Sequence, residues 1–455
     1  MACGRQLSRW VAGAGWFCTR CRCHGEYRSL QRAAAINRAA GRQDRITEKG
    51  ARETDGTVDR REYGGQRVCF LLGAGVSLSA GFPSTEEITN RVRDKEAIIR
   101  GADEACSCLP TPADRHPRGG ADRARQVIEA VADVLWTGNQ SPNYEDLYYA
   151  VNEIHEHLIT NYDNPCLEPL IARLTEKGDW DDVDGDPREG LKYAASEACD
   201  LIRSVVARSL SGTPESTDLN LLTDIIRAQQ FQRVDIFTLN HDCHIETALR
   251  EAKLAYEDGF RRIGPEDVHA WSRDYLEQDS SYVTVCKLHG SVDWYRVQIE
   301  GYCFEDVLIR TRDDVEHLGQ FELPQGRTRP YISPDSRQIL VGRHNKILSY
   351  TGDWYLELYY WFRRRIERAD VLVVSGYSFG DKGINSAIIN AFAPCDPHKL
   401  LIVIDPSEES ALLENARYAI ASKWDSLKSR GLLTHVQRGF DEVSLEDLQQ
   451  EARRW

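Results

Sequence analysis

The chain has 455 residues, with 57 basic and 71 acidic side chains and a formal net charge of −14 at pH 7. This acidic balance disfavours a protein that binds nucleic acid directly, and no apolar run approaches the roughly 18 residues of a membrane-spanning helix. A hydrophobic share of 41% with 9% aromatic residues is typical of a globular chain. We therefore expect a soluble, folded protein.

Residues 1–62 differ from the rest of the chain, because the first 43 carry eight arginines against a single acid, Glu26. An organelle presequence, a flexible basic arm and an upstream extension all fit this composition. We exclude the segment from the predicted fold.

Thirteen cysteines are scattered along the chain. Without a secretory leader or paired spacing in the body of the chain, they indicate a reducing cytoplasm. The cluster Cys18, Cys21, Cys23 and His24 could hold zinc, but it lacks the second half of a zinc finger. We favour no bound metal, with zinc at this cluster as the alternative.

The stretch from Val68 to Ser84 reads as a strand, a turn and the start of a helix. Its apolar run ends in Gly73-Ala74-Gly75, and a helical pattern opens near Thr85. Glycines let a backbone turn tightly and approach a pyrophosphate closely. Since Gly81 departs from the G-x-G-x-x-G spacing, a simple strand-to-helix turn is the alternative.

Residues 101–210 contain no strand pattern. Amphipathic periodicity and start signals predict helices at 122–136, 143–158 and 191–210, with an acidic break at 176–189. This region is therefore predicted to be a helical insertion between the two parts of a sheet domain, residues 63–100 and 211–440.

Further strands are predicted at 234–238, 282–288, 371–374 and 400–404. Helices alternate with them at 217–231, 243–253, 354–369 and 384–392, hairpin pieces are expected within 294–321, and 441–455 reads as a C-terminal tail. Nearly continuous apolar strands that alternate with helices predict an α/β fold, a parallel sheet with helices on both faces.

Small or polar residues follow five of the predicted strands. They are Gly73-Ala74-Gly75, Asn240, His289, Gly376-Tyr377-Ser378 and Asp405. The carboxyl ends of parallel strands share one edge of a sheet, and ligands bind at that edge. The sequence thus predicts one ligand site built from five strand ends.

Four of these segments resemble motifs of the sirtuin (Sir2) superfamily. GAGVSLSAGFPS resembles its opening motif, TLNHD its T-x-N-x-D motif, LHG its catalytic His-Gly, and GYS its phosphate and ribose loop. GYSFGDKGIN is similar to a signature of the bacterial SIR2-like branch used in anti-phage defence. The resemblance covers about residues 67–406 and implies a Rossmann-like core.

Two departures disfavour protein deacylation. Only Cys303 and Cys395 follow His289, too few for the zinc ribbon of the deacylases, and Pro83 is followed by Ser84-Thr85-Glu86 where those enzymes have Pro-x-Phe-Arg. Both departures fit the NAD-hydrolysing branch, without a zinc ribbon or other metal.

The resemblance implies roles for individual residues. Asn240 would orient a ribose hydroxyl or the attacking water, and His289 would be the catalytic base. Asp242 and Asn385 could line the pocket, although either could instead cap the helix beside it. The residues expected at the phosphates and the adenosine ribose are Gly73, Ala74, Gly75, Val76, Ser77, Gly376, Ser378 and Asp405.

The function implied by the resemblance is an NAD⁺ glycohydrolase that acts as a regulated effector of anti-phage defence. Control by homo-oligomerisation, by a HerA-type partner ATPase or by a phage-derived trigger is expected by analogy. An NAD-dependent deacylase or ADP-ribosyltransferase, and a non-catalytic NAD or ADP-ribose binding module, are the alternatives.

Overall fold

A computed structural model describes most of the chain after residue 64. The described residues are 65–94, 120–136, 141–161, 164–178, 180, 185–263, 268–274, 281–299, 306–311, 322–323, 326–329, 337–342, 353–392, 396–414 and 416–452. The segment 1–62 with its cysteine cluster, and Cys303 and Cys395, lie outside them. Within these ranges, no helix is both long and apolar enough to cross a bilayer.

The strands and helices are numbered along the chain. The strands are β1 (Arg67–Leu72), β2 (Arg233–Thr238), β3 (Phe260–Arg262), β4 (His269–Trp271), β5 (Val283–Lys287), β6 (Gly290–Ile299), β7 (Asp306–Arg310), β8 (Glu322–Leu323), β9 (Gly326–Arg329), β10 (Arg337–Ile339), β11 (Val371–Ser375), β12 (Leu400–Ile404) and β13 (Leu433–Val436). The helices are α1 (Gly75–Leu78), α2 (Thr85–Arg93), α3 (Gly120–Leu135), α4 (Tyr144–Leu158), α5 (Glu168–Lys177), α6 (Pro187–Leu210), α7 (Asn220–Ala228), α8 (His244–Glu251), α9 (Asp353–Arg368), α10 (Lys382–Phe392), α11 (Glu409–Glu414), α12 (Ile420–Ser429) and α13 (Leu445–Ala452).

A parallel sheet forms the centre of the fold. Its strand order is β13-β12-β11-β1-β2-β5, and every pairing between neighbours is parallel. The predicted parallel α/β sheet is therefore confirmed. The prediction was wrong in ending it at Leu400–Ile404, because β13 adds an edge strand. That strand is short and polar at Thr434 and His435, so it lacks the apolar run that marks the inner strands.

Both faces of this sheet are covered by helices. In β1, Cys69 and Leu71 point to a cluster that contains Leu358 and Phe362 of α9. The alternate residues of β1 pack on the other face, against α7 and α8. A strand that is buried on both faces cannot show polar alternation, which explains its continuous apolar sequence.

The helices α3 to α6 pack around their own apolar cluster. Small residues of α6, among them Ala194 and Ala198, are fully buried there and let neighbouring helices approach closely. Phe82 and Ile88 from the segment after β1 belong to the same cluster. The helical region is thereby packed onto the segment that follows the first strand, next to the edge where the strands end.

Two parts of the fold go further than the sequence interpretation. The hairpin pieces belong to a larger antiparallel sheet of order β3-β4-β7-β6-β9-β8, with β10 paired to β6. The segment 441–455 is not simply a tail: α13 buries Leu448 in the cluster beside α7. Its surface is mostly polar, so one buried leucine gave little signal.

A buried ion pair stabilises the central strands. Asp235 of β2 is 2% exposed, and its Oδ1 accepts hydrogen bonds from Arg233 Nε at 2.8 Å and Thr284 Oγ1 at 2.6 Å. Arg365 Nε of α9 lies 3.8 Å from the same oxygen. The carboxylate therefore connects two strands with the helix above them.

We expect Asp235→Ala to lower the free energy of unfolding by about 3–5 kcal/mol, because it leaves buried arginine charge uncompensated. Urea unfolding followed by circular dichroism measures this change. Asp224→Ala is the matched control, since Asp224 forms an exposed pair with Arg227 at 3.7 Å, and such pairs contribute roughly 0–1 kcal/mol. Equal losses in the two variants would contradict the role of the buried pair.

Candidate functional site

The carboxyl end of β1 is the switch point of the parallel sheet. From β1 the chain order runs through β2 and β5 on one side, and through β11, β12 and β13 on the other. In such sheets the loops on the two sides of the switch diverge and leave a crevice, where ligands bind. The predicted site residues follow the strands that border this crevice.

Two glycine loops meet at the crevice. Gly73 N donates to Ser375 O at 2.9 Å, and Gly75 N donates to Gly376 O at 3.0 Å. A Cβ atom on Gly73 would lie 2.4 Å from Gly376 O, and one on Gly376, whose φ is +62°, would lie 2.5 Å from Val76 N. The glycines are thus required for contact between the loops, in addition to any approach to a ligand.

Two cavities open beside these loops and share Gly376 and Ser378. The Asn240 cavity, of about 400 Å³, is lined by eight of the predicted residues: Gly73, Ala74, Ser77, Asn240, Asp242, His289, Gly376 and Ser378. The Asp405 cavity, of about 490 Å³, is lined by Gly75, Val76, Gly376, Ser378 and Asp405. Each has the size of a small-molecule site, and together they form an elongated crevice.

Asn240 is held by the first glycine loop. Its Nδ2 donates to Gly73 O and to Ser77 Oγ, both at 2.9 Å, and the residue is 7% exposed. Because the carbonyl of Gly73 only accepts, the amide nitrogen must face the loop. Both amide hydrogens are then used, and the Oδ1 acceptor remains for a ligand in the cavity.

His289 lies two residues beyond β5 and is 3% exposed. Its Nε2 is 3.4 Å from Asp381 Oδ2, and its ring centroid is 6.4 Å from that of His241. An imidazole can accept a proton near neutral pH. The structure thus brings His289 to the same cavity as Asn240, with a carboxylate beside it.

Asp242 lines the Asn240 cavity and also bonds to the start of α8. Its Oδ1 accepts from His244 N at 3.0 Å, but burial raises the pKa of its carboxyl above the ordinary value. Lys287, fully buried below, donates to the Asp242 carbonyl and pairs with Glu246 at 3.1 Å. Burial alone would lower the pKa of Lys287, but Glu246 and the other acidic groups around it raise it.

Asp405 follows β12 at the far end of the crevice. Its Oδ1 accepts from Ser407 N at 2.9 Å, which fixes the turn that carries it. Asp218 and Asp441 line the same cavity, and none of its described lining residues is Lys or Arg. The charged residues that line the cavity are therefore acidic, and their carboxylates can accept hydrogen bonds from hydroxyl groups.

The structure corrects the pocket interpretation of Asn385. Its side chain is fully buried, and its Nδ2 donates to Phe379 O at 2.7 Å and Arg417 O at 2.9 Å. Its Oδ1 accepts from the Tyr377 hydroxyl at 2.9 Å. Asn385 therefore holds the loop after β11 from behind and lines neither cavity.

Several residues of the Asn240 cavity were missed from the sequence. Asp381 lies in the GYSFGD segment that resembles the SIR2-like signature, so the sequence did contain a signal for it. The sequence contains no signal for Arg417, because this residue reaches the cavity from the connection between α11 and α12. The segment after β1 and the helical region together form another wall: Phe82, Pro83, Thr85, Ile88, Asn143, Tyr144, Glu145 and Leu210.

Metal ligands do not converge in the part of the chain that the structure describes. No three His, Cys, Asp or Glu side chains there are grouped so that they could hold an ion.

The fold defines an α/β protein with two adjoining cavities at the switch point of its parallel sheet. Residues 234–423 match the family model of the SIR2-like domain. The predicted resemblance to the SIR2-like family is therefore confirmed.

The chain is also similar to solved structures of Sir2 homologues. The chain aligns with a Sir2 homologue in complex with NAD (12% identity, 86% of this chain and 91% of that chain, TM-score 0.36). It aligns with a Sir2 homologue mutant in complex with ADP-ribose (13%, 86% and 94%, TM-score 0.36) and with Sir2Tm bound to a propionylated peptide (11%, 86% and 94%, TM-score 0.31). Among curated proteins, no sequence matches the chain.

We expect Gly376→Ala to disrupt the contact between the glycine loops. The added Cβ would meet Val76 N at 2.5 Å and would strain a positive φ, which costs on the order of 1–3 kcal/mol before any clash. Differential scanning calorimetry should show a lower unfolding temperature. Gly380→Ala in the same loop is the control, since its Cβ would lie 3.6 Å from Ser378 Oγ, an ordinary contact distance. An equal fall in unfolding temperature in this variant would contradict the role of the contact between the loops.

Proposed function

We propose that the protein is an NAD⁺ glycohydrolase, which splits NAD⁺ and water into nicotinamide, ADP-ribose and a proton. The observation that carries the proposal is the convergence of Asn240 and His289 on one cavity, which adjoins a second cavity across two glycine loops. An elongated dinucleotide needs such a divided crevice, with the scissile ribose at one end and the adenosine at the other.

Asn240 and His289 take separate parts in this chemistry. Breaking the bond between nicotinamide and C1′ leaves positive charge on the ribose ring, so a hydroxyl or water nearby becomes more acidic. The Oδ1 of Asn240 accepts a hydrogen bond from that group and orients it. His289 accepts its proton, which passes to solvent when the imidazole is reset.

The shared glycine loops suit the diphosphate. Ser378 and the amides of Gly73 to Ser77 are candidates to bind its oxygens. Among the described residues lining the Asn240 cavity, Arg417 alone carries a permanent positive charge, and a guanidinium pairs well with phosphate. In the acidic Asp405 cavity, Asp405 would accept from the adenosine ribose hydroxyls, and a 2′-phosphate would be repelled there, which favours NAD⁺ over NADP⁺.

Water is the proposed acceptor of ADP-ribose. The motif departures at Ser84 and after His289 disfavour acyl-lysine chemistry, and helical-region residues such as Tyr144 wall the Asn240 cavity. Two enzyme classes compete with the hydrolase: a deacylase, whose acceptor is an acylated peptide, and an ADP-ribosyltransferase, whose acceptor is a protein side chain. A non-catalytic binding module is the third alternative.

The biological role that we propose is that of an effector in anti-phage defence, in the cytoplasm. Loss of NAD⁺ would kill the host cell, so the activity must be switched on by homo-oligomerisation, by a partner ATPase of the HerA type or by a phage-derived trigger. This role is supported only by the resemblance of GYSFGDKGIN to the defence-associated branch.

The activity is tested by incubating the purified full chain with NAD⁺, with and without an acylated peptide, and measuring nicotinamide and ADP-ribose by mass spectrometry. Asn240→Ala and His289→Ala should each reduce turnover by roughly 10²–10⁴-fold, because each removes a group that acts in the reaction. His398→Ala, at an exposed histidine far along the chain, should keep wild-type turnover. Strict dependence on the peptide, or unchanged turnover in both cavity variants, would contradict the hydrolase.

Arg417→Ala should raise the KM for NAD⁺ by about 10–100-fold with little change in kcat. A hydrogen bond to a charged group contributes roughly 1.5–3 kcal/mol, and the diphosphate is not altered during the reaction. Steady-state kinetics with NAD⁺ as the varied substrate measures both constants. Arg364→Ala, on the exposed face of α9, is the control; a fall in kcat alone at Arg417 would exclude a role in diphosphate binding.

A further inference from the structure

A histidine and an aspartate from distant parts of the chain face each other in the Asn240 cavity. His289 Nε2 lies 3.4 Å from Asp381 Oδ2, and the two side chains are 4% and 11% exposed. At such burial a carboxylate acts strongly on a neighbouring imidazole, because little water screens the pair.

Asp381 is held in place by its second oxygen. Oδ1 accepts from Gly383 N at 2.7 Å and from Ile384 N at 3.1 Å, so the side chain caps the start of α10. The Tyr377 hydroxyl accepts from Asp381 N at 3.0 Å. These contacts hold Oδ1 at the helix start, while Oδ2 lies on the side of the imidazole.

We propose that Asp381 is the positioning residue of His289: it keeps the proton on Nε2 and leaves Nδ1 as the atom that accepts a proton from the substrate hydroxyl or water. This role rests on the proposed glycohydrolase function. When Nδ1 takes the proton, the ring becomes an imidazolium and the carboxylate opposite Nε2 stabilises its charge. The proton then leaves Nδ1 for solvent, and the pair returns to its starting state.

The position of Asp381 gives the loop after β11 a second role besides capping α10. A residue that only caps a helix can face solvent, as Asp186 does at the start of α6. Asp381 instead turns its second oxygen inward, while Asn385 and Tyr377 fix the loop from behind. Asp381 therefore links the start of α10 to the orientation of the His289 imidazole, which follows β5.

Other ionisable groups surround the imidazole and enter its pH dependence. His241 lies on the loop after β2, with its Nδ1 3.4 Å from Gly290 O. The others are the Tyr355 hydroxyl of α9 beside Gly290, and Asp242, Glu145 and Arg417 on the cavity wall.

The test uses the full chain with Asp381→Asn and the matched cap variant Asp186→Asn. Asparagine caps helices as well as aspartate, so α10 is retained, and circular dichroism checks this. At position 381, however, its amide presents an N–H to Nε2, which places the ring proton on Nδ1. We expect kcat to fall by roughly 100-fold or more in Asp381→Asn, with KM little changed, and no loss in Asp186→Asn.

A second readout does not require turnover. In protein with ¹³C-labelled histidine, the signal of His289 is assigned among the 12 histidines by its loss in His289→Ala and is followed from pH 5 to 9. Removing the neighbouring negative charge disfavours the imidazolium, so the titration midpoint of His289 should move to lower pH in Asp381→Asn and not in Asp186→Asn.

The outcomes separate this inference from the proposed function. A wild-type chain that leaves NAD⁺ intact under all conditions contradicts the glycohydrolase, yet a lowered midpoint in the same samples still supports the pair. An unmoved midpoint, or wild-type kcat in an active Asp381→Asn protein, overturns the positioning role.

Discussion

The close contact between two backbone loops is the constraint on which the rest of the site depends. Gly73 and Gly376 approach so closely that a single methyl group on either would overlap backbone atoms of the other loop. Parallel strands alone do not bring their end loops together; at a switch point they diverge. The glycines overcome that divergence locally, so that residues from the two halves of the sheet can line one continuous crevice.

The positions of Asn240 and His289 depend on their contacts with these loops. Asn240 hydrogen-bonds to the first loop through Gly73 and Ser77, whereas His289 faces Asp381 at the end of the second. A shift of one loop against the other would therefore change the geometry between the carboxamide and the imidazole. Both side chains are largely buried, so their orientation is restricted by the residues packed around them.

Sequence patterns predicted the strands well because β1, β2, β11 and β12 are buried on both faces and are largely apolar, apart from the ion pair of Arg233 and Asp235 in β2. The same reasoning placed Asn240, His289 and Asp405 at strand ends, since a strand end is a local property. It failed for Asn385 and Arg417, whose roles depend on which distant backbone groups lie nearby. It also missed β13 and the packing of Leu448, where the burial of a few side chains in a polar segment is decided by neighbours that are remote in sequence.

The helical region adds residues to the wall of the Asn240 cavity, and the positions of the strand ends do not predict them. Asn143 caps α4 through hydrogen bonds to the amides of Glu145 and Asp146, a purely local device that the sequence does predict. The cap also brings Tyr144 to the cavity wall, where the Tyr144 amide donates to Thr89 Oγ1 of α2 at 3.0 Å. The wall residues Phe82 to Ile88 follow the first glycine loop in the same stretch of chain, whereas Tyr144 comes from α4. The hydrogen bond between Tyr144 and Thr89 therefore joins the helical region to the segment that also contains Gly73 and Ser77, the partners of Asn240.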